Sequence, residues 1–474
     1  MAKRQLQSIN MKILVEKEKE RILFAESDSD FMDILFSFLT MPIGTIVRLT
    51  SCKLSASEIG CMNNLYKSVD KLDVQHLWTA ACKTMLLCPR NSAENHCRNL
   101  KVNIDDTKPI QYYTCSSASS SHPTNDPIST YENVRCPWCC GKMMTTSVQL
   151  RKPNATKVAE EDNKRVFLKD SMRFMMRDGL QLLDLLMSLF SKTPLTDAIL
   201  LKKVTVDQIA FDSRNTTQLI DARDADCNVK VFKLKLVVSK SNKKVLYAEA
   251  REDFVDLVLS FLTFPLGSIV ELFGGNSPLQ SLNTLYKSVE ELSENYIKSK
   301  EIKDLLLHPK LPSYFGCENQ LLPIQEVVKM YYYTFNCTSC YPILEISTSE
   351  NEASRQCQHH KKRLTFKVVN PKLPTGDSID GGGFVKSTEI FMVTDDLVVT
   401  PFSLISAISL LSSLKVAISD VEERVVNVSK KEFQTGAMKP ELGSTSNGAS
   451  GSGPMYDAYH TLSPSSRTNL HHEY

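Results

Sequence analysis

The chain's repeated apolar segment lacks the length to cross a bilayer: its run covers about eleven residues, where a spanning helix needs about twenty, and Asp33 and Asp256 interrupt it. The opening MAKRQLQSINMK is polar and offers no apolar stretch of the kind a secretory leader uses. An excess of one charge is also missing. Lys and Arg number 56 against 54 Asp and Glu, a net +2, which argues against broad attraction to nucleic acid or to an anionic membrane surface. Catalytic signatures are scarce as well: there is no HExxH, GxSxG or dinucleotide fingerprint. The run Asp380-Gly-Gly-Gly-Phe-Val-Lys386-Ser387 has Val385 where a phosphate loop needs glycine before its lysine. It reads instead as a flexible turn before a strand starting at Phe384. These absences point away from an enzyme. They also make the cytoplasm the expected compartment, with the nucleus as the alternative.

The fourteen cysteines then belong in a reducing environment, where clustered thiols favour metal binding over disulfides. Formal glycosylation sequons such as Asn154-Ala-Thr156 carry no weight there.

The dominant feature is a duplication. Asp30 to Leu49, DFMDILFSFLTMPIGTIVRL, returns as Asp253 to Leu272, DFVDLVLSFLTFPLGSIVEL, with twelve of twenty positions identical and a period of ~220 residues. Phe31, Met32, Ile34, Leu35, Phe36, Phe38 and Leu39 cover nearly every side of a helical wheel, which predicts a buried helix. Ser27 to Asp30 supply cap oxygens and negative charge at its start. Pro42 and Pro265 supply the stop. Thr45 to Leu49 reads as a strand.

The flanks repeat too. Met11 to Glu26 and Lys233 to Glu249 each read as a β-hairpin. Asn63 to Leu72 and Asn283 to Leu292 read as helices, with Leu65, Val69 and Leu72 on one face. Leu86-Leu87-Cys88-Pro89 and Leu306-Leu307-His308-Pro309 end further helices. Tyr112-Tyr113-Thr114 and Tyr332-Tyr333-Thr334 lead strands into cysteine regions. Phe167 to Leu180 aligns with Phe384 to Leu397, after which the copies diverge. The second continues with a helix at Ser403 to Leu414 and a strand at Glu422 to Val428. The first passes into Leu182 to Leu201, predicted helical until Pro194. The expected class is α+β, two tandem repeats each built of a hairpin, a buried apolar helix, further helices and strands, and a zinc-knuckle-like cysteine region. The divisions are 1–212 for the first repeat, 213–230 for a polar linker, 231–434 for the second repeat, and 435–474 for a Gly/Ser-rich tail expected to be disordered.

The cysteines carry the chemistry. Cys337-x2-Cys340 followed by Cys357-x2-His360 sets four soft donors in two tight turns, the pattern a tetrahedral structural zinc requires. His359 is an alternative to His360. In the first copy Cys136-Pro-Trp-Cys139 matches the second pair, and Cys115 lies upstream with Ala118 three residues on. His122 or Cys140 would complete a set of four. The alternative there is a site that has lost its metal and kept the fold. Cys97 and Cys317 fall at matching positions and read as small buried residues. Asp395-Asp396 reads as a turn rather than an acid pair.

The blocks ILFAESDSDFMDILFSFLTMPIGTIVRL, NNLYKSVDKL, MLLCPRNS, NLKVNIDD and GGGFVKSTEIFMVTDDLVVTPFSLISAISLL, together with DVEERVVNVSKKE and LFSKTPLTDAIL, resemble a plant-restricted family labelled domain of unknown function 674. The resemblance covers most of residues 10 to 434. It implies two repeats, paired cysteines after the double tyrosine, and no established activity. Against that pattern the first copy lacks a helix and a DVEERVV-like strand between Leu180 and Leu182. The second copy stops matching after Lys430-Lys431-Glu432. The favoured expectation is a non-enzymatic module that binds another protein, each repeat pinned by structural zinc. The alternatives are a small-ligand binder or enzyme with a pocket between the repeats, or a zinc-ribbon nucleic-acid binder that stacks bases on Tyr112, Tyr113 and Tyr331 to Tyr333. No membrane association is expected, and nucleic acid is the least favoured partner.

Overall fold

The computed structural model describes residues 11–16, 21–51, 61–115, 126–139, 142–150, 166–168, 173–176, 231–242, 244–277, 279–317, 322–328, 331–337, 345–348, 361–373, 382–386 and 389–429. The tail after 435, the expected linker at 213–230 and the segment Leu182 to Leu201 lie outside the described residues.

Each repeat opens with the expected hairpin: β1 (Met11–Glu16) with β2 (Arg21–Asp28), and later β8 (Val231–Ser239) with β9 (Val245–Ala250). The buried helix follows as α1 (Ser29–Ser37) in the first copy and α6 (Glu252–Ser260) in the second. Asp28 caps α1 by accepting the Phe31 amide at 3.2 Å. Both helices tighten into a 3-10 turn, Phe38–Thr40 and Phe261–Thr263, before the proline.

The next element differs from expectation. Thr45 to Leu49 is not a strand: it belongs to α2 (Ile43–Ser51), whose counterpart is α7 (Leu266–Leu272). Pro42 and Pro265 therefore stop one helix and stand immediately before another, a position proline tolerates because the first helical amides have no intrahelical acceptor. Ile43, Ile46, Val47 and Thr50 are buried together, and this helical spacing outweighs the strand preference of β-branched residues. Four more helices fall as expected, α3 (Cys61–Lys71) and α4 (Ala80–Leu87), then α8 (Gln280–Glu291) and α9 (Lys300–Leu307), while the short α5 (Glu94–Cys97) was not anticipated.

The two copies meet at those prolines. Ile43 donates its amide to the Phe264 carbonyl and Leu266 donates to Met41, both at 3.0 Å, so Pro42 and Pro265 face one another as an antiparallel bridge. The chains cross so closely that a Cβ on Gly44 would lie 2.8 Å from the Leu262 carbonyl oxygen, and one on Gly267 would lie 3.0 Å from that of Leu39. One hydrophobic core runs through both copies and includes Phe31, Phe36, Phe38, Phe254, Phe261 and Leu262.

The strands of the cysteine regions interleave. In the first copy they are β3 (Tyr112–Cys115), β4 (Asp126–Ser129), β5 (Val134–Arg135) and β6 (Met143–Leu150). In the second they are β10 (Tyr331–Cys337), β11 (Glu345–Ile346) and β12 (Lys361–Val368). The sheet order is β10-β12-β4-β3-β6-β11. Tyr333 and Ser347 exchange both backbone hydrogen bonds at 2.8 Å, which joins β10 to β11 and closes the ring into a barrel. Each copy contributes an antiparallel trio, and the trios meet through two parallel seams, β12 with β4 and β6 with β11. Tyr112, Ile128, Val148, Tyr332, Ile346 and Phe366 fill the interior.

The hairpins carry further strands. β7 (Arg173–Met176) joins β2 in a three-stranded sheet β1-β2-β7. In the second copy β13 (Phe391–Thr394), β14 (Val399–Pro401) and β15 (Val421–Ser429) complete a five-stranded sheet β14-β13-β9-β8-β15, with α10 (Leu404–Ser413) between β14 and β15. The strand expected from Phe384 begins instead at Phe391. Phe384 and Val385 are held by a carboxylate, as described below. Asp395 and Asp396 sit in the turn between β13 and β14, where Asp396 accepts the Thr394 hydroxyl at 2.5 Å.

Candidate metal centre

The centre is built on the barrel rim of the first copy. β3 ends at Cys115, where its pairing with β6 shifts register after Thr114. β5 and β6 form a hairpin whose connection, residues 136–142, opens with Cys136-Pro137-Trp138-Cys139. The Cys136 amide donates to the Lys142 carbonyl at 2.8 Å and the Lys142 amide to the Cys139 carbonyl at 3.0 Å. This folds the Cys-x2-Cys segment back on itself. The backbone amides of Trp138 and Cys139 also donate to the Cys136 sulfur, a knuckle arrangement that favours a thiolate there.

The three sulfur atoms of Cys115, Cys136 and Cys139 lie within 4.8 Å of one another. A tetrahedral zinc with Zn–S near 2.3 Å holds its sulfurs about 3.8 Å apart, so closing on an ion needs no more than about 1 Å of movement. Cys115 and Cys136 are buried and Cys139 is half-buried. Burial pushes the Cys136 thiol up, and burial with the neighbouring Cys115 and Cys136 sulfurs pushes Cys139 up to about 12. Without a cation the Cys136 and Cys139 thiols are thus held protonated. A divalent ion would reverse that balance, because coordination removes the thiol proton outright. The donor set fits a soft tetrahedral ion, with the fourth place for His122 or Cys140, both outside the described residues.

Of the second-copy donors, Cys337 ends β10, while Cys340, Cys357 and His360, with the alternative His359, lie outside the described residues. Of the matched pair, Cys97 is buried and Cys317 is half-buried against the same core. Cys97 packs against Thr40 and Asn91, with sulfur contacts of 3.9 and 3.8 Å, and burial raises both thiols.

Two buried carboxylates escaped the sequence reading. Asp33 accepts the amides of Val166, Phe167 and Leu168 at 3.0–3.2 Å. Asp256 accepts those of Phe384 and Val385 at 2.7 and 3.0 Å. Gly383 is glycine because a Cβ there would fall 1.5 Å from Asp256 Oδ2. Close approach, not turn flexibility, is its role. Burial raises Asp256 to about 7 against the opposing pull of those amides and of Lys372. Lys372 is itself fully buried, donates to the Gly316 carbonyl at 2.5 Å and stands 4.8 Å over the Phe384 ring. The available signal was an aspartate repeated at one helical position inside an otherwise apolar run.

Of the tyrosines named above, Tyr112 and Tyr332 are buried and offer no face to a base. Tyr112 and Tyr332 lie inside the barrel, hydroxyl to hydroxyl at 2.9 Å, with ring centroids 5.0 Å apart. Tyr331 is the exposed member, at 47%.

Among the described residues no helix is long and apolar enough to cross a membrane. A family model described as Protein of unknown function (DUF674) matches residues 5–185 and again 181–431. No curated protein and no solved structure matches.

Proposed function

The chain belongs to the DUF674 family, and from that premise we propose that it is a non-enzymatic protein-interaction module whose barrel is stapled by structural zinc. The observation that carries the metal half is the convergence of Cys115, Cys136 and Cys139 within 4.8 Å on a knuckle-like turn. Four protein donors leave no open position for water or substrate, so the ion would hold structure and not perform chemistry. The second set, Cys337, Cys340, Cys357 and His360, is proposed to do the same for the other half.

The non-enzymatic side is supported by how the buried polar groups are used. Asp33 and Asp256 accept main-chain amides, and the tyrosine hydroxyls bond each other. The interaction side is supported by the apolar side chains left on the surface of α10, with Leu404 at 74% and Ile405 at 81% exposed.

The test is metal analysis of protein purified under reducing conditions. The expected content is one zinc for each donor set. Cys136→Ser should lose the first and Cys357→Ser the second, each with a melting midpoint lowered by roughly 5 °C. Reduced, freshly purified protein that contains no zinc would falsify the metal assignment.

A further inference from the structure

The two hairpins agree residue for residue, including an irregularity. In the first, Leu14 faces Phe24 and Val15 faces Ile22, so the register slips at Leu23. In the second, Val237 faces Tyr247 and Val238 faces Val245, so it slips at Leu246. Lys12 opposite Glu26 corresponds to Lys235 opposite Glu249, and Met175 opposite Glu26 corresponds to Met392 opposite Glu249.

What covers them differs. The outer edge of β8 is paired with β15 along nine residue pairs, Val421 with Ser239 through Ser429 with Val231. Over the face, Val237, Tyr247 and Met392 pack against Ala407 and Leu411 of α10. Lys235 bridges Glu249 at 3.3 Å and Glu423 of β15 at 2.8 Å. In the first copy β1 is the edge of its sheet, with no strand on its outer side among the described residues. Leu14 is 48% exposed where Val237 is 2% exposed. Lys12 reaches Glu26 at 3.7 Å with its side chain 77% exposed. The second copy thus displays the complement for which the first copy keeps the acceptor: an amphipathic helix followed by an antiparallel strand.

We propose that the first repeat's sheet accepts a helix–strand segment donated by another polypeptide. The strand would add to β1 in the register β15 takes on β8, and the helix would cover Leu14. This deepens the interaction reading by naming its acceptor surface, and it does not depend on the metal. Edge addition supplies main-chain hydrogen bonds, and alternate side chains supply selectivity. By the second copy's register, the donor residue facing Leu14 takes the place of Glu423, so an acidic residue there would meet Lys12. A second copy of this chain is a poor donor. Its one such unit among the described residues is held on its own β8 by those nine pairs, so closing one edge would open another.

The test uses the full chain and a probe taken from it, residues 403–429 fused to a soluble fluorescent carrier and read by fluorescence anisotropy. Saturable binding in the micromolar range is expected. Leu14→Asp should weaken it by about tenfold or more. Lys12→Glu, a surface change that spares the fold, should weaken it about threefold, and Glu423→Lys in the probe should recover the loss. Zinc content and melting midpoint measured on the same samples separate a failed docking site from a failed metal centre. Three results would each overturn the proposal. One is no saturable binding up to about 100 µM by zinc-replete, folded chain. Another is binding indifferent to both substitutions, which places the contact elsewhere and leaves the general interaction reading standing. The third is a concentration-dependent dimer of the chain alone that Leu14→Asp dissolves, which assigns the edge to a second copy.

Discussion

Asp256 shows how a single residue ties helix to chain at a cost that depends on pH. Its carboxyl, ordinarily near 4, is raised to about 7 by burial. The folded state therefore holds its proton more tightly than the unfolded state does. Its contribution to stability is fully present below about pH 4 and is lost as pH rises toward 7, at about 1.4 kcal/mol per unit between those values. Asp256→Asn keeps an oxygen to accept the Phe384 and Val385 amides and cannot ionise. Urea titrations from pH 4 to 8 should show this variant with a shallower fall in stability than the parent. Asp33→Ala is the harsher change. It leaves the amides of Val166, Phe167 and Leu168 without their acceptor, and denaturation at pH 7 should report a loss of about 3 kcal/mol or more. Neither staple was legible in the sequence, where the two aspartates read only as interruptions of an apolar run. The groups they bind are main-chain amides more than a hundred positions away, and no side-chain pattern announces those.

At the scale of elements, the hairpins, the buried helices and the strand after Ser419 were legible because each carries its own period and its own caps. Failures came where a partner element decides the outcome. Thr45 to Leu49 is β-branched and short, yet it winds into α2 because the crossing at Pro42 and Pro265 sets Ile43, Ile46 and Val47 toward the other copy. Phe384 and Val385 look like a strand start, but their amides are taken by Asp256 instead of a ladder. The glycines two residues after each proline carried no reading of their own in the sequence. They are points of close approach between the copies, with Gly44 against Leu262 and Gly267 against Leu39. Gly44→Val should therefore force the crossing apart and cost about 2 kcal/mol or more in a denaturant titration. Thr50→Val, near the other end of the same helix, is the milder control, since the Thr50 hydroxyl bonds only the Ile46 and Val47 carbonyls of its own helix. For the thiol centre the sequence grouped Cys115 with Cys136 and Cys139, and their sulfurs converge because β3 lies beside β6; the fourth donor, His122 or Cys140, lies outside the described residues.

On the scale of the whole molecule, the repeats seen in sequence are not separate bodies. The barrel takes three strands from each copy and closes through seams that join one copy to the other, and the Tyr112 and Tyr332 hydroxyls meet inside it. A chain built this way should unfold as one cooperative unit, and either repeat expressed alone should leave half a barrel with open strand edges. The crossing of the two buried helices offers the most direct test. The Ile43 and Leu266 amides lie at the starts of α2 and α7, where helical amides have no acceptor within their own helix. Their acceptors are Phe264 and Met41, each in the opposite copy. Hydrogen exchange at these two amides reads that contact and little else. The account expects them to exchange as slowly as the interior of α1 and α6, at the rate of global opening. Exchange within minutes, as for exposed amides at a helix start, would contradict it.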